Sequence, residues 1–482
     1  MLLALLLLGA LAIPGQATAA KRPFVYIFSL DGLDRDAVTQ ESSAPFLSSV
    51  IDDEAGARSS FFPRSRSVMV SETNPNHTSM ITGAYPKGHG IVGNEFATYP
   101  GSADEQSCPA RTRPSAMPGV VTGQSPSCLQ AETAYESIER QFSDRSRTTA
   151  LIMGKPKLAR LYATRSGGEY DADHIWAPCD EDEPYCEDVP TNPGTGYAAD
   201  DSIVMDEVIR TTREKVRDAG TRSRPDLTFV NFPQIDSAGH ATGRTSAAYT
   251  AAVGMADGEI SRFVANQKDL GIWKRTVIIF VSDHGMDDTP FGVGRVMVGD
   301  TLTAAGVPES AYAIVGNGSA AHIYLTNRQA AGRFNLLKRM RNALRDVPMV
   351  SEALYRTRNP RDGGRAHTIA KAAPGWGLGG PRTGDLVITT RPGSAVYETS
   401  QINSIPFNPL PGNHGGTFTR DNFWLIAGGY DAIRLKGSDQ PITNANAAPT
   451  AARLLGVKPP RGAQASWVRD AFFRNRLAPP AR

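Results

Sequence analysis

Cysteine, net charge and long apolar runs are all scarce in this sequence, and each scarcity removes a class of function. There are four cysteines in 482 residues. None forms a Cys-x-x-Cys pair and none lies beside a histidine-bearing motif, which argues against a cysteine-held metal. Lys and Arg number 51 against 49 Asp and Glu, a formal charge of +2. With no basic run either, the chain is not expected to bind a nucleic-acid polymer. Beyond the first twenty residues no apolar stretch reaches the roughly 20 residues that a membrane-crossing helix needs, so no stable membrane insertion is expected after removal of a leader. Internal repeats and low-complexity tracts are absent.

What is present begins with MLLALLLLGALAIPGQATAAKRP, an apolar run of about a dozen residues followed by the small-residue end ATAA. This predicts a signal peptide over residues 1–20, cleaved near Ala19 or Ala20, and an exported protein, periplasmic or extracellular. An uncleaved anchor is the weaker alternative. The cysteines, Cys108, Cys128, Cys179 and Cys186, agree with export. Their spacing suggests bridges Cys108–Cys128 and Cys179–Cys186, although other pairings are open.

Three apolar runs, FVYIFSLDG, DLTFVNFPQID and TVIIFVSDHG, read as buried strands that close on Asp31, Asp236 and Asp283. Continuous β-branched and aromatic runs of this length suit the centre of a parallel sheet. Helical patterns alternate with them in ETAYESIERQF, DDSIVMDEVIRTTREKV and SAAYTAAVGMADGEISRFVANQ. The expectation is an α/β fold with a mostly parallel central sheet flanked by helices. Ligands of such sheets bind beyond the carboxyl ends of the strands, where these aspartates fall. Insertions are expected at about 98–130 and 166–200, and a cap-like excursion at about 287–412. The acidic run CDEDEPYCEDVP in the second insertion reads as a solvated, disulfide-pinned loop in preference to a calcium site.

Histidines accompany the strand ends. DSAGH offers Asp236 and His240, SDHG offers Asp283 and His284, and PGNHGG places His414 in a glycine-flanked loop. Any one Asp near a His is more often a hydrogen-bonded pair than a ligand set. Together they make a group of mixed carboxylate and imidazole ligands large enough for two adjacent zinc ions, an arrangement suited to displacement at phosphorus. Beside them, SETNPNHTSMITGAYPKGHGIVGN places Thr73 at the start of a short helix with Pro75 in its first turn and Gly83 at its end. The residues leave two readings of Thr73 open. It caps the helix, or it is a nucleophile at a helix N-terminus that favours anions.

The segments SLDGLDRD, TNPNHTSMITGAYPKGHGIVGN, NFPQIDSAGHATG, VSDHGM and PGNHGG follow in this order from residue 24 to about 416. They resemble the alkaline phosphatase superfamily, and most closely its nucleotide pyrophosphatase/phosphodiesterase branch. NAAPTAARLLGVKPP is similar to the family's closing helix. The resemblance implies one alkaline phosphatase-like domain over residues 21–482, carrying two Zn2+ per chain. One ion would be held by Asp236, His240 and His414, the other by Asp31, Asp283 and His284 together with Thr73. It also implies Thr73 as nucleophile, a covalent phospho-threonine, and Asn94 as a donor to a phosphoryl oxygen beside the Thr73 N–H. His77, His89, His174, His322 and His367 match no ligand position and read as structural.

The substrate is less defined. Nucleotide-cleaving members of the family carry Phe after the nucleophile, where this chain has Asn74. GKPKLARL places Lys155 and Lys157 two apart and is similar to the lysine segment with which phosphonoacetate hydrolases hold carboxylate and phosphonate. The alternative is a pair of solvent-facing lysines at a helix start. The expectation is a secreted phosphodiesterase or nucleotide pyrophosphatase acting on a small phosphate- or phosphonate-containing substrate. A phosphonoacetate hydrolase-like or phosphomonoesterase activity on the same site is the alternative, and an inactive binding protein on this scaffold is the remote one. No Cys/Ser-x-Pro-x-Arg occurs at the nucleophile, which argues against a sulfatase.

Overall fold

The three apolar runs become adjacent central strands of one sheet in the computed structural model. It describes residues 22–477 and 479, except 40–42, 53–55, 110–117, 122, 124, 143–145, 164–171, 180–184, 193–196, 219–220, 290–293, 398–410 and 436. The leader expected over residues 1–20 and the acidic stretch 180–184 lie outside the described residues.

Strands of the two largest sheets are β1 (Phe24–Leu30), β2 (Arg58–Phe61), β3 (Thr149–Met153), β4 (His174–Pro178), β5 (Cys186–Glu187), β6 (Leu227–Phe232), β7 (Thr276–Val281), β8 (Tyr312–Asn317), β9 (Ala320–Leu325), β10 (Val350–Tyr355), β11 (Leu386–Thr390) and β12 (Trp424–Gly428). The larger sheet runs β2-β12-β7-β1-β6-β3-β4-β5. β1 pairs in parallel with β6 and β7, and the parallel series continues through β3, β4 and β5. Only β12 runs against its neighbours β7 and β2. The fold is the α/β arrangement read from the sequence, a mostly parallel sheet flanked by helices.

Alternation along β1 explains why both faces are covered. Val25 and Ile27 enter one core, whereas Tyr26, Phe28 and Leu30 enter the other. The longer helices and the one after β3 are α1 (Thr73–Thr82), α2 (Ala134–Gln141), α3 (Pro156–Tyr162), α4 (Asp201–Glu214), α5 (Gln234–Thr242), α6 (Ala247–Asp269), α7 (Arg333–Arg345) and α8 (Ala447–Leu455). α1 and α8 bury Met80, Ile81, Leu454 and Leu455 on the first face. α6 buries Tyr249, Val253, Ile260 and Phe263 on the second. All three helical patterns of the sequence form helices, α2 with a Thr133/Glu136 capping box.

Within 287–412 the weak periodicity conceals a second sheet, β8-β9-β11-β10, antiparallel throughout. Its core is its own, with Leu337, Met340 and Leu344 of α7 over Val350, Ala353 and Ile388. Both local disulfides form, Cys108–Cys128 and Cys179–Cys186. The buried Arg382 ties the first disulfide segment to the body, donating to Asp104 Oδ1 at 3.0 Å and to the carbonyls of Gly90 and Cys128 at 3.2 and 2.5 Å. Among the described residues no helix is long and apolar enough to cross a membrane.

Candidate functional site

β1 and β7 end side by side, so Asp31 and Asp283 emerge at the same edge of the sheet. Asp236 arrives differently. The run DLTFVNFPQID does not stay extended to its aspartate: β6 stops at Phe232, and Pro233 opens α5 with Asp236 in the first turn. A proline cannot continue the strand's hydrogen bonding, and its restricted φ suits a helix start. Asp236 and His240, four apart in α5, therefore share one helical face. Two glycines allow the elements to meet. Gly32 has φ +74, and a Cβ there would lie 2.9 Å from Asp236 Cα. A Cβ on Gly412 would overlap the carbonyl oxygen of Gly239, so glycine lets the His414 loop close on α5.

Each carboxylate is anchored through one oxygen and presents the other. Asp283 Oδ1 accepts from the N–H groups of Gly32 and His284 at 3.0 and 2.9 Å. Its Oδ2 accepts no hydrogen bond. Asp31 Oδ2 accepts from Asn231 Nδ2 at 2.9 Å, leaving Oδ1 toward the site. Asp236 Oδ2 accepts from Lys155 Nζ at 2.6 Å, and its Oδ1 accepts nothing.

The histidines repeat this pattern. His240 Nδ1 donates to the Gly412 carbonyl at 3.0 Å, which leaves Nε2 as a bare lone pair. That Nε2 lies 3.0 Å from His414 Nε2 and 3.4 Å from Asp236 Oδ1, and His414 Nε2 lies 3.6 Å from the same oxygen. His284 Nδ1 donates to the Gly285 carbonyl at 3.0 Å. Its Nε2, buried without a hydrogen-bond partner, faces Asp283 Oδ2 at 3.1 Å and Asp31 Oδ1 at 3.7 Å. The rings of His284 and His414 stack at 3.7 Å, which joins the two groups. Ligand-capable atoms of Asp31, Asp236 and His284 also lie within 4.8 Å of one another.

These are two sets of ligand-capable atoms gathered beside the Lys155 ammonium, and His240 and His284 are each oriented by a backbone carbonyl as metal ligands commonly are. Burial lowers the basicity of His240 and His414, reinforced for His414 by its histidine neighbours. The imidazoles therefore stay neutral and able to bind a cation. Asp31 is pushed up to about 7 by burial and by Asp283. Burial opposes the charge on Asp236 too, but Lys155 and His240 outweigh it and hold its carboxyl well below the usual range. His284 rises to about 9, because Asp283 overcomes the effect of burial. The donor set fits divalent cations with mixed N and O preference.

Thr73 is the first residue of α1, and the cap position belongs to Glu72, whose backbone is extended. The expected cap therefore moves by one residue, and the Thr73 side chain is not spent on capping. α1 ends at Gly83 in a left-handed conformation, as expected. Lys155 Nζ, fully buried, lies 3.5 Å from Thr73 Oγ1, 2.8 Å from Asp31 Oδ1 and 2.6 Å from Asp236 Oδ2. Burial disfavours the Lys155 charge, yet Asp236 and Asp31 keep it protonated. Asn94 Oδ1 accepts from the Asn74 N–H at 2.9 Å, and the Asn94 N–H donates to Glu72 Oε2 at 2.7 Å. This leaves the Asn94 amide NH2 without a partner among the described residues, beside the start of α1.

The structure thus gathers Asp31, Asp236, His240, Asp283, His284, His414 and Lys155 together, with Thr73 and Asn94 at their edge. Asn74 is buried with its Oδ1 unpartnered, so it offers no exposed platform. Lys157 stays outside, its Nζ 5.8 Å from the Tyr197 ring centre, while Lys155 lies 5.0 Å from the same ring. His77 comes close to Asp31 and Asp283, but its nitrogens are engaged by the Thr73 carbonyl at 2.9 Å and Asn231 Nδ2 at 3.1 Å. His89 and His322 are also held by internal hydrogen bonds. Sequence reasoning overlooked Asn231, Glu72 and Tyr197. Asn231 had a signal, a lone amide inside the apolar run TFVNF.

A family model described as type I phosphodiesterase / nucleotide pyrophosphatase matches residues 25–417. An uncharacterised pyrophosphatase/phosphodiesterase of Schizosaccharomyces pombe is 26% identical over 273 residues, covering 55% of this chain and 45% of its own length. Ectonucleotide pyrophosphatase/phosphodiesterase 1 of Saccharomyces cerevisiae is 23% identical over 274 residues, covering 55% and 34%. The chain matches less than half the length of these curated relatives. Among solved structures, an inactive threonine-to-alanine form of murine ectonucleotide pyrophosphatase/phosphodiesterase 5, in complex with AMP, superposes with a TM-score of 0.63 at 15% identity, over 91% of this chain and 96% of that one. Phosphonoacetate hydrolase from Sinorhizobium meliloti, in complex with phosphonoformate, gives 0.60 at 19% identity, over 89% and 95%. These structures share the fold, and the family model spans most of the chain: the protein belongs to the type I phosphodiesterase / nucleotide pyrophosphatase family of the alkaline phosphatase superfamily.

Proposed function

We propose that the chain is an exported, two-zinc hydrolase of phosphoric esters, a phosphodiesterase or nucleotide pyrophosphatase that works through a covalent phospho-threonine. The observation that carries this reading is the pair of ligand-capable sets beside Thr73, in which Asp283, Asp31, His240 and His284 are each held to the scaffold through one atom and turn the other toward a shared point. Asp236, His240 and His414 would hold one zinc, and Asp31, Asp283 and His284 with Thr73 the other. Bound there, the ions would neutralise negative charge on the reacting oxygens and make the threonine hydroxyl a stronger nucleophile.

The chain's own groups do the rest. The start of α1 aims Thr73 Oγ1 into the site with its N–H toward an incoming anion. Lys155, 3.5 Å from that hydroxyl, adds a fixed positive charge that favours its deprotonation and the approach of phosphate. The free amide NH2 of Asn94, oriented by Glu72 and by the Asn74 N–H, donates to a phosphoryl oxygen as charge develops. Thr73 attacks in line, the leaving oxygen departs on the opposite side, and water then cleaves the phospho-threonine. The two disulfides support an oxidising compartment.

One observation favours a second reading for the substrate. Lys155 reaches the centre of the site and Asn74 gives no surface for a nucleobase, which favours a small, doubly charged phosphonate or phosphomonoester. Rates on a bis-aryl phosphate, an aryl monophosphate, a nucleotide aryl ester and phosphonoacetate decide between them. We expect the diesters to lead, about two zinc per chain by metal analysis, and Thr73→Ala to abolish turnover while keeping the metal. A strong preference for phosphonoacetate that is lost in Lys155→Ala would reverse the substrate choice. Absence of bound metal under zinc-replete conditions would sink the whole mechanism.

A further inference from the structure

A second cavity shares no residue with this centre. It has a volume of about 560 Å3 and is lined by Arg64, Arg66 and Arg420 with Trp376, Ile442 and Glu352. Arg420 is only 8% exposed. Its Nε donates to the Ser67 carbonyl at 2.9 Å and its Nη2 to the Gly375 carbonyl at 2.7 Å. Nη1 donates no hydrogen bond among the described residues, and no carboxylate there lies within ion-pair distance of this guanidinium. Burial, with Arg66 nearby, lowers its basicity to about 10.

A purely structural arginine accounts for Nε and Nη2, which hold two loops together. It leaves Nη1 an unspent donor that is not enclosed by protein, on a largely buried cation that no carboxylate contacts and that only the nearby charge of Asp421 partly offsets. The other lining groups extend the same sign. Arg64 is exposed and has no ion pair among the described residues. Arg66 meets Asp421 at 2.9 Å, an exposed pair that leaves its remaining nitrogens available. The one lining carboxylate, Glu352, is already faced by Arg345 at 3.9 Å. Trp376 supplies an apolar wall and an indole N–H with no protein partner among the described residues.

We propose that this cleft is a binding site for a small phosphate-class oxyanion, gripped by Arg420 and faced by Arg64 and Arg66. Guanidinium groups suit this role because their forked donors match the oxygens of phosphate, and the volume lies in the range of small-molecule sites.

Calorimetric titration of the zinc-loaded full chain with inorganic phosphate, in chloride-poor buffer, tests it. We expect a phosphate site that weakens at least about tenfold in Arg64→Ala/Arg66→Ala, as loss of charge-assisted hydrogen bonds implies. Both positions are exposed, so this variant keeps its core. Arg420→Met should remove the same site. Phosphate inhibition of turnover, which reads the metal centre, should be unchanged in the double variant. Phosphate binding that is identical in the wild type and the double variant overturns the proposal. If Arg420→Met does not fold, the double variant alone decides.

Discussion

Lys155→Met is the most informative single change, because one ammonium holds two buried carboxylates. Lys155 lies 2.8 Å from Asp31 and 2.6 Å from Asp236, and all three are buried. Methionine nearly matches the volume, so the perturbation is one of charge. Removing one partner of a buried ion pair costs about 3–5 kcal/mol. Unfolding entropy of about 2.1 cal/mol/K per residue over 482 residues comes to about 1 kcal/mol/K, so the chelator-treated variant should melt about 3–5 °C below the wild type. The deficit should depend on pH. Asp31 is already pushed up to about 7, mainly by burial. Lys155 is among the groups that lower it, so loss of the ammonium raises Asp31 further, and the penalty is relieved by protonation at pH 6 and largest at pH 9. Zinc should narrow the gap between variant and wild type, since bound cations take over the neutralising role and stabilise the folded state by mass action. Melting curves by scanning fluorimetry at pH 6 and 9, after chelation and after added zinc, provide the check. A chelated variant that melts within about 1 °C of the wild type at pH 9 would refute the reasoning, as would a gap that widens with zinc.

His284 is raised to about 9, chiefly because Asp283 overcomes the opposing effect of burial, so a metal must displace its proton. Zinc affinity, read by competition with a chelating dye, should rise about tenfold per pH unit between 7 and 9, and a flat profile would exclude His284 as a ligand. Asp31 and Glu72 are both raised to about 7 by burial, so the chelated folded chain holds more protons than the unfolded one. Its stability should therefore fall as pH rises through about 7 and again near 9 as His284 discharges, visible as a lower melting temperature at pH 9 than at pH 6. Asn94→Ala should reduce kcat by about a hundredfold without changing zinc content, in line with loss of one transition-state donor; unchanged steady-state kinetics would remove Asn94 from the site. His240→Ala should halve the zinc content and leave the set of Asp31, Asp283 and His284 loaded, and retention of both ions would break the assignment of the first set.

Much of this protein was written in short-range pattern. Apolar runs long enough to fill buried strands, alternating with amphipathic helices, determined the α/β layering, and the aspartates after β1 and β7 were placed by that pattern alone. The spacing of Cys108 to Cys128 and of Cys179 to Cys186 suggested the bridges that form, because short loops close most readily, while the structure chose among the possible pairings. The Asp236/His240 pair was visible as a spacing of four, but its helix was hidden behind an apolar run that continues through Pro233. Tertiary structure alone decided which oxygen and which ring nitrogen face the site. That choice depends on backbone donors and carbonyls far away in the chain, such as Gly32 for Asp283 and Gly412 for His240. It also decided that Lys155 is central and Lys157 is not: the first, capping α3, is buried against Asp31 and Asp236, and the second, within α3, stays partly exposed. Two lysines two residues apart look alike in sequence, and only packing against carboxylates from other strands and helices distinguishes them.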